Sequence, residues 1–201
     1  MTRPTVIGVT GGIAAGKSTV LGLLREHGAE TIDADAIYHD LISPGGGLVE
    51  PIVQRFGAHV RSSDGAIDRR ALAGIVFADA EALDDLDLIT HPTVVKIIQD
   101  HIAFSVAALI AVDAVKLIES GMHSLCDAVW LVTCDPAVQK ARLMARNELT
   151  ELEADFRLAA QLDESYRRQH ADVVIDNSGD RTSLKRQVDV ALTLVKQLPK
   201  C

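Results

Sequence analysis

Thr5-Val6-Ile7-Gly8-Val9-Thr10 runs straight into Gly11-Gly12-Ile13-Ala14-Ala15-Gly16-Lys17-Ser18, and this stretch decides the fold. The first six residues are short, apolar and β-branched, the composition of a buried strand. The glycines break the strand. From Lys17 to His27, Val20, Leu23 and Leu24 recur at helical spacing, and Gly28 stops the helix. Thr31-Ile32-Asp33 is a second short strand, so the order is strand, glycine loop, helix, strand. Gly11 to Ser18 fits the pattern GxxxxGK[ST]. A phosphate wrapped by backbone N–H groups excludes side chains and demands unusual φ. The helix that follows aims its N-terminal N–H groups at the anion. Gly12, Ala14, Ala15, Gly16, Lys17, Ser18 and Thr19 are therefore the candidate residues for binding a nucleoside triphosphate. In this pattern Lys17 reaches the β- and γ-phosphates and Ser18 ligates Mg²⁺.

Outward from the loop, the pattern changes. Asp35 to Ser105 holds helical stretches and almost no strand signal. Helices are predicted at Asp35–Ile42, Leu48–Phe56, Arg69–Phe77 and Ala80–Thr90, with a turn at Asp64-Gly65. Beyond His91-Pro92, the residues Val94, Val95, Ile98 and Ile102 stripe one face of a further helix. Ala107–Asp113 and Ala128–Thr133 return to buried strands. Pro136 sits where a first-turn proline belongs, ahead of a helix at Val138–Asn147. Thr150-Glu151-Leu152-Glu153 matches a capping box and opens a polar helix to about Arg168. Asp172–Asp176 is the last strand and Leu184–Leu198 the closing helix. Strands alternating with helices argue for a parallel sheet covered by helices.

Composition sets outer bounds. The chain has 201 residues, 48% hydrophobic and 24% charged, so it is long enough to bury a core without disulfides or metal. Aromatics are only 3%, which leaves the core to Leu, Ile, Val and Ala. Lys+Arg 20 against Asp+Glu 28 gives a net charge of −8, which argues against a nucleic-acid partner. An anionic small molecule must then be met by a local basic cluster. The cysteines Cys126, Cys134 and Cys201 show no CxxC spacing and read as reduced thiols. The longest apolar run, Ile102–Val112, is too short to span a bilayer, and Met1–Pro4 leads into a strand rather than a signal peptide. The expectation is a soluble cytoplasmic protein, with no membrane partner, that is a monomer or weak homo-oligomer. A GTPase would carry N-K-x-D, which is absent; Asp176-Asn177-Ser178-Gly179 fits D-x-x-G but lies too near the C-terminus for a switch. Small-molecule kinases pair such a loop with a helical acceptor insertion and an arginine-bearing lid, and the pattern offers both.

The order and spacing of further markers resemble the dephospho-coenzyme A kinase family over essentially the whole chain. They include Thr10–Thr19, Ile32–Asp35 (I-D-A-D), Phe56-Gly57, Ile67–Leu72 (I-D-R-R-A-L), Ile75–Phe77 and His91-Pro92. Asp113 to Glu119 (D-x-x-x-L-x-E), Gln139, Arg142, Arg146, Gln161 and Val174–Gly179 (V-I-D-N-S-G) complete them. The resemblance implies an α/β fold of the P-loop NTPase type: a parallel sheet flanked by helices, with a helical substrate-binding insertion and a helical lid. The expected division is a core at about 1–34, 106–140 and 170–201, an insertion at about 35–105 and a lid at about 141–169. The implied reaction is transfer of the ATP γ-phosphate to the ribose 3′-hydroxyl of dephospho-CoA, with Mg²⁺. Two rivals stay open on the residues alone: another P-loop kinase for a nucleoside or nucleotide, and an ATP-binding regulatory module without transfer. This chain departs from the family in two places. Ala14-Ala15 stands where Gly-Ser is usual, which leaves the loop amides in place. Val115-Lys116-Leu117 stands where Pro-Leu-Leu is usual.

Each candidate site residue carries a plainer alternative. Asp33 is expected to accept the ribose hydroxyl proton or orient the hydroxyl through Mg²⁺; otherwise it caps the next helix. Asp35 is assigned mainly to that cap, with acceptor binding as its second role. Asp113 ends a strand and suits a Mg²⁺-bound water, or merely faces solvent. Arg142 and Arg146, one turn apart, suit the β- and γ-phosphates, or form a solvated helix face. Asn177 and Gly179 suit the adenine end, or simply a turn. His91 belongs by resemblance to the acceptor domain, or marks a helix boundary before proline. Lys116 faces a phosphate of ATP or acceptor, or pairs with Glu119 or Asp113. Arg167 and Arg168 read as structural.

Overall fold

The computed structural model describes residues 3–161 and 164–195. Cys201 and the end of the closing helix expected at Leu198 lie outside the described residues. Two compact units emerge: 1–32 with 102–201, and 33–101.

The first unit is built on a sheet of order β2-β3-β1-β4-β5. Its strands are β1 (Thr5–Gly11), β2 (Glu30–Asp33), β3 (Leu109–Asp113), β4 (Ala128–Thr133) and β5 (Val173–Asp176). Strand β1 is central and pairs in parallel with β3 (Val9 opposite Asp113) and with β4 (Thr10 opposite Leu131), and β4 pairs in parallel with β5. Every residue of β4 is buried, as expected for a strand covered on both faces. On one face, Ile7, Val9, Ala111, Trp130, Val132 and Ile175 pack with α1 (Lys17–Glu26) and α9 (Arg181–Val195). The period of the helices delivers Val20, Leu23 and Leu24 from α1, and Leu184, Val188, Ala191 and Leu192 from α9, to this one layer. On the other face, Leu117 and Cys126 close in on Gly8, where any Cβ would meet Leu117 Cδ2 at 2.6 Å.

The second unit is helical: α2 (Ala34–Ile42), α3 (Val49–Phe56), α4 (Arg69–Val76) and α5 (Ala80–Phe104), whose last turn passes beyond the unit's end at residue 101. It has its own core, in which Val49, Ile52 and Phe56 of α3 meet Val60, Ile67, Leu72, Val76 and Leu86. Asp68 starts α4 by accepting from the amides of Arg70 and Ala71. The turn at Asp64-Gly65 closes a bridge between Arg61 and Ile67.

Three local expectations are corrected. The helices on either side of His91-Pro92 are one continuous helix, α5. Proline removes only the N–H that would meet the carbonyl of Leu88, on the exposed side of the helix. His91 is therefore helix interior rather than a boundary, with Nε2 3.3 Å from Asp87 Oδ1. The polar helix from Thr150 is two helices, α7 (Glu151–Ala159) and α8 (Glu164–Gln169), after α6 (Pro136–Asn147). Helix α7 ends at Ala159 with Ala160 as its C-cap, and Gln161 just beyond it is engaged as described below. The cap assigned to Asp35 belongs to Asp33. Helix α2 begins at Ala34, one residue ahead of Asp35, so Asp33 is the last extended residue and the N-cap, and its Oδ1 accepts from Ala36 N at 2.9 Å. Asp35 is an exposed residue of the first turn.

Candidate active site

The phosphate loop joins β1 to α1. Gly16 is the N-cap of α1, with φ 97° and ψ 31°, and no side chain caps the helix. No acidic residue stands in the first turn, so the positive end of the helix is open to an anion. Glycine at position 16 is required twice over. Its φ is left-handed, and a Cβ there would lie 1.9 Å from Asn177 Nδ2. Asn177 is buried, and its Nδ2 donates to the carbonyl of Ala15 at 2.9 Å. It thus braces the loop from the end of β5.

Around Gly16 lies a cavity of about 260 Å³, lined by Thr19, Arg142, Asn177, Gly179, Arg181 and Leu184. That is close to the lower end of small-ligand sites, roughly 300–1,000 Å³. Arg142 is half-buried and donates to Cys134 Sγ at 3.3 Å, which fixes its guanidinium at the cavity wall. Arg146 is exposed one turn away, with Nε donating to Asn147, and is not among the cavity's lining residues. The pair is therefore split. Arg181 was missed by sequence reasoning. It opens α9 just past the Asn-Ser-Gly turn and donates to Glu26 Oε1 at 2.7 Å. Its one signal was an arginine at the start of the helix that follows Gly179.

Lys17 Nζ stands 3.7 Å from Asp113 Oδ1, both side chains mostly shielded. Asp113 ends β3 beside the loop, as expected of the strand-end aspartate. Ser18 is exposed on the first turn of α1. Lys116 is exposed on the turn after β3. The proposed Lys116–Glu119 pair is corrected: Glu119 Oε1 meets Arg167 Nη2 at 3.3 Å, with both side chains buried. The chain after Asp113 forms turns rather than a helix, so the three-residue spacing does not bring positions 116 and 119 onto one helical face. Arg167 takes the structural role expected of it. Burial pushes the Cys126 thiol up to about 12, so it is neutral at any ordinary pH.

In the second unit, Asp33 caps α2, and α5 holds His91 against Asp87. Tyr38 is held above the usual phenol range, chiefly by burial; the nearby Arg69 charge opposes this and Asp87 adds to it. Among the described residues, no cluster of three or more His, Cys, Asp or Glu could hold a metal by itself. No helix among them is long and apolar enough to cross a membrane.

Comparison with known proteins agrees with this geometry. The family model described as CoaE, dephospho-CoA kinase, matches residues 5–183. A dephospho-CoA kinase of Moorella thermoacetica is 41% identical over 190 residues, covering 92% of this chain and 90% of that one. Among solved structures, TT1252 from Thermus thermophilus superposes with a TM-score of 0.80 at 30% identity, covering 98% of this chain and all of that one. Dephospho-CoA kinase from Campylobacter jejuni gives 0.67 at 27% identity, over 95% of this chain and 97% of its own. A strand-loop-helix phosphate site on a parallel sheet, matched from end to end in this way, makes the chain a member of the dephospho-CoA kinase family.

Proposed function

We propose that this protein transfers the γ-phosphoryl group of ATP to the ribose 3′-hydroxyl of dephospho-CoA, releasing CoA and ADP as the last step of CoA biosynthesis. The observation that carries the reading is the glycine-capped phosphate loop set within a family match over residues 5–183. Phosphoryl transfer is mostly positioning and charge neutralisation. The loop amides and the open end of α1 bind the phosphates. Lys17 exchanges its contact with Asp113 for the β- and γ-oxygens. Arg142, already at the cavity wall, neutralises charge on the transferring group, and Arg146, one turn away, adds its charge. Asn177 and Gly179 line the nucleoside end, and Thr19 lies below the phosphates.

Asp33 accepts the proton of the 3′-hydroxyl. One of its oxygens caps α2, and the other remains available to the acceptor. Asp35, His91 and Lys116 bind the acceptor. Mg²⁺ fits the donor set, because that ion takes one or two carboxylates plus substrate phosphates rather than an all-protein cage. Ser18 and Asp113 would hold it, and it would supply charge neutralisation for the transferring phosphate. The segment 141–169 acts as the lid.

An ADP-release assay with Mg·ATP and a panel of acceptors tests the reading. Release is expected with dephospho-CoA. Turnover on a nucleoside or nucleotide but not on dephospho-CoA overturns it, and so does ATP binding with no release on any acceptor.

A further inference from the structure

Two glutamines hold one residue of the phosphate loop from opposite sides. Ile13 N–H donates to Gln161 Oε1 at 2.5 Å, and Ile13 C=O accepts from Gln139 Nε2 at 2.7 Å. They arrive from separate elements. Gln139 lies near the start of α6, and Gln161 follows α7, where its own Nε2 donates to Leu158 O at 3.4 Å. Gly12 makes room for both: a Cβ there would lie 2.9 Å from Gln161 Oε1 and 3.0 Å from Gln139 Nε2.

The next residue explains what the grip is for. Ala15 N donates to Gly12 O at 3.2 Å, so Gly12-Ile13-Ala14-Ala15 is a β-turn. Its third residue, Ala14, has φ 59°. Turns with positive φ at that place favour glycine, because a Cβ resists the left-handed region. The competing turn with negative φ differs by a flip of the peptide plane between the second and third residues. Here that plane carries the carbonyl of Ile13, the atom that Gln139 holds. Gln161 holds the N–H one peptide earlier. A flip breaks the first bond and turns the Ala14 amide, one of the phosphate-binding N–H groups, the other way.

We propose that Gln139 and Gln161 are positioning residues which clamp Ile13 and so hold Ala14 in the left-handed turn that the ATP phosphates require. The proposal rests on the ATP-binding part of the reading above, and its test does not need the acceptor. The intact protein is titrated with Mg²⁺ and a non-hydrolysable ATP analogue, in two backgrounds: Ala14 as it stands, and Ala14→Gly. In the first, Gln139→Met and Gln161→Met are expected to weaken the analogue about fivefold to tenfold, the weight of one hydrogen bond. In the Ala14→Gly background the same substitutions should cost less than twofold. Thermal unfolding should stay within a degree or two, and KM for ATP should rise while KM for dephospho-CoA does not. Equal losses in both backgrounds overturn the clamp, as do unchanged affinities or a fall in melting temperature alone. A protein that binds the analogue normally but never phosphorylates dephospho-CoA overturns the proposed reaction and leaves the clamp to be judged by its own titration.

Discussion

The two units build their chemistry from different materials. In the sheet unit, the site is mostly backbone: the amides of the phosphate loop, the open end of α1 and the glycine at its cap. Side chains such as Asn177 and Gln139 serve to hold that backbone in shape. In the helical unit, the candidate groups are side chains on helices: Asp33 at the head of α2, Tyr38 within it, and His91 against Asp87 on α5. A backbone site recognises what every nucleoside triphosphate shares, whereas a side-chain site can be tuned to one acceptor. The difference teaches where specificity resides, and it sorts the expected effects of substitution.

Asp33→Asn should break the comparison hardest on the chemical step. Asparagine caps a helix as well as aspartate does, so the melting temperature should hold. Loss of a positioned base should lower kcat by roughly 10²–10⁴ with ATP affinity nearly unchanged. Normal turnover in this variant would leave Asp33 as a cap and nothing more. Lys17→Ala removes the loop side chain that the proposed mechanism assigns to the phosphates. Its kcat/KM should fall by about 10²–10³, the weight of one preorganised charge partner, while circular dichroism stays native. Wild-type-like kcat there would refute the assigned phosphate site. Arg167→Ala sharpens the contrast from outside both sites. It strands Glu119, whose only ion-pair partner among the described residues is that guanidinium. A loss of about 3–5 kcal/mol in urea unfolding is expected for breaking a buried pair, with KM values unmoved at temperatures where the protein is folded. Lys116→Leu should do least. Lys116 is an exposed residue, so stability should change by no more than about 1 kcal/mol. A rise of about threefold in KM for ATP or dephospho-CoA, within the roughly 0.2–1 kcal/mol of an exposed ion pair, is the expected sign of a ligand-facing lysine. A shift confined to the melting temperature would make it structural.

Where backbone geometry demands particular residue types, the sequence displayed it openly. Gly16, Lys17 and Ser18 announce the loop, Pro136 the first turn of α6, and Thr150 with Glu153 a capping box in which both reciprocal bonds form. The alternation of apolar runs located all five strands to within two residues of their observed ends. Other features leave no such trace. Pro92 was read as a break because a proline in a helix usually is one, but α5 tolerates the missing N–H on its exposed face. The left-handed φ of Ala14 is invisible, since alanine is the residue least suited to reveal it. Gln139 and Gln161 stood out as family markers, but their joint hold on Ile13 links positions far apart in the chain and appears only once the fold is formed. Arg146 shows the limit of helical spacing. It shares a face with Arg142, yet the one turn between them separates the cavity wall from solvent.

The placement of β1 at the centre of the sheet also has a consequence for how the chain is made. Strand β1 leaves the ribosome well before its partners β3 and β4, and Val6 waits for Asp127, 121 residues later, to satisfy its amide. Until then its apolar edges have no pairing partner. The helices of residues 33–101 are closed by short-range contacts and possess their own core, so they can fold while β1 is still waiting. Synthesis therefore exposes an aggregation-prone β-branched segment for the time needed to translate about a hundred residues, on the order of five to twenty seconds. Slowing elongation before β3 should lengthen that window and lower the soluble yield, even though the finished protein is unchanged.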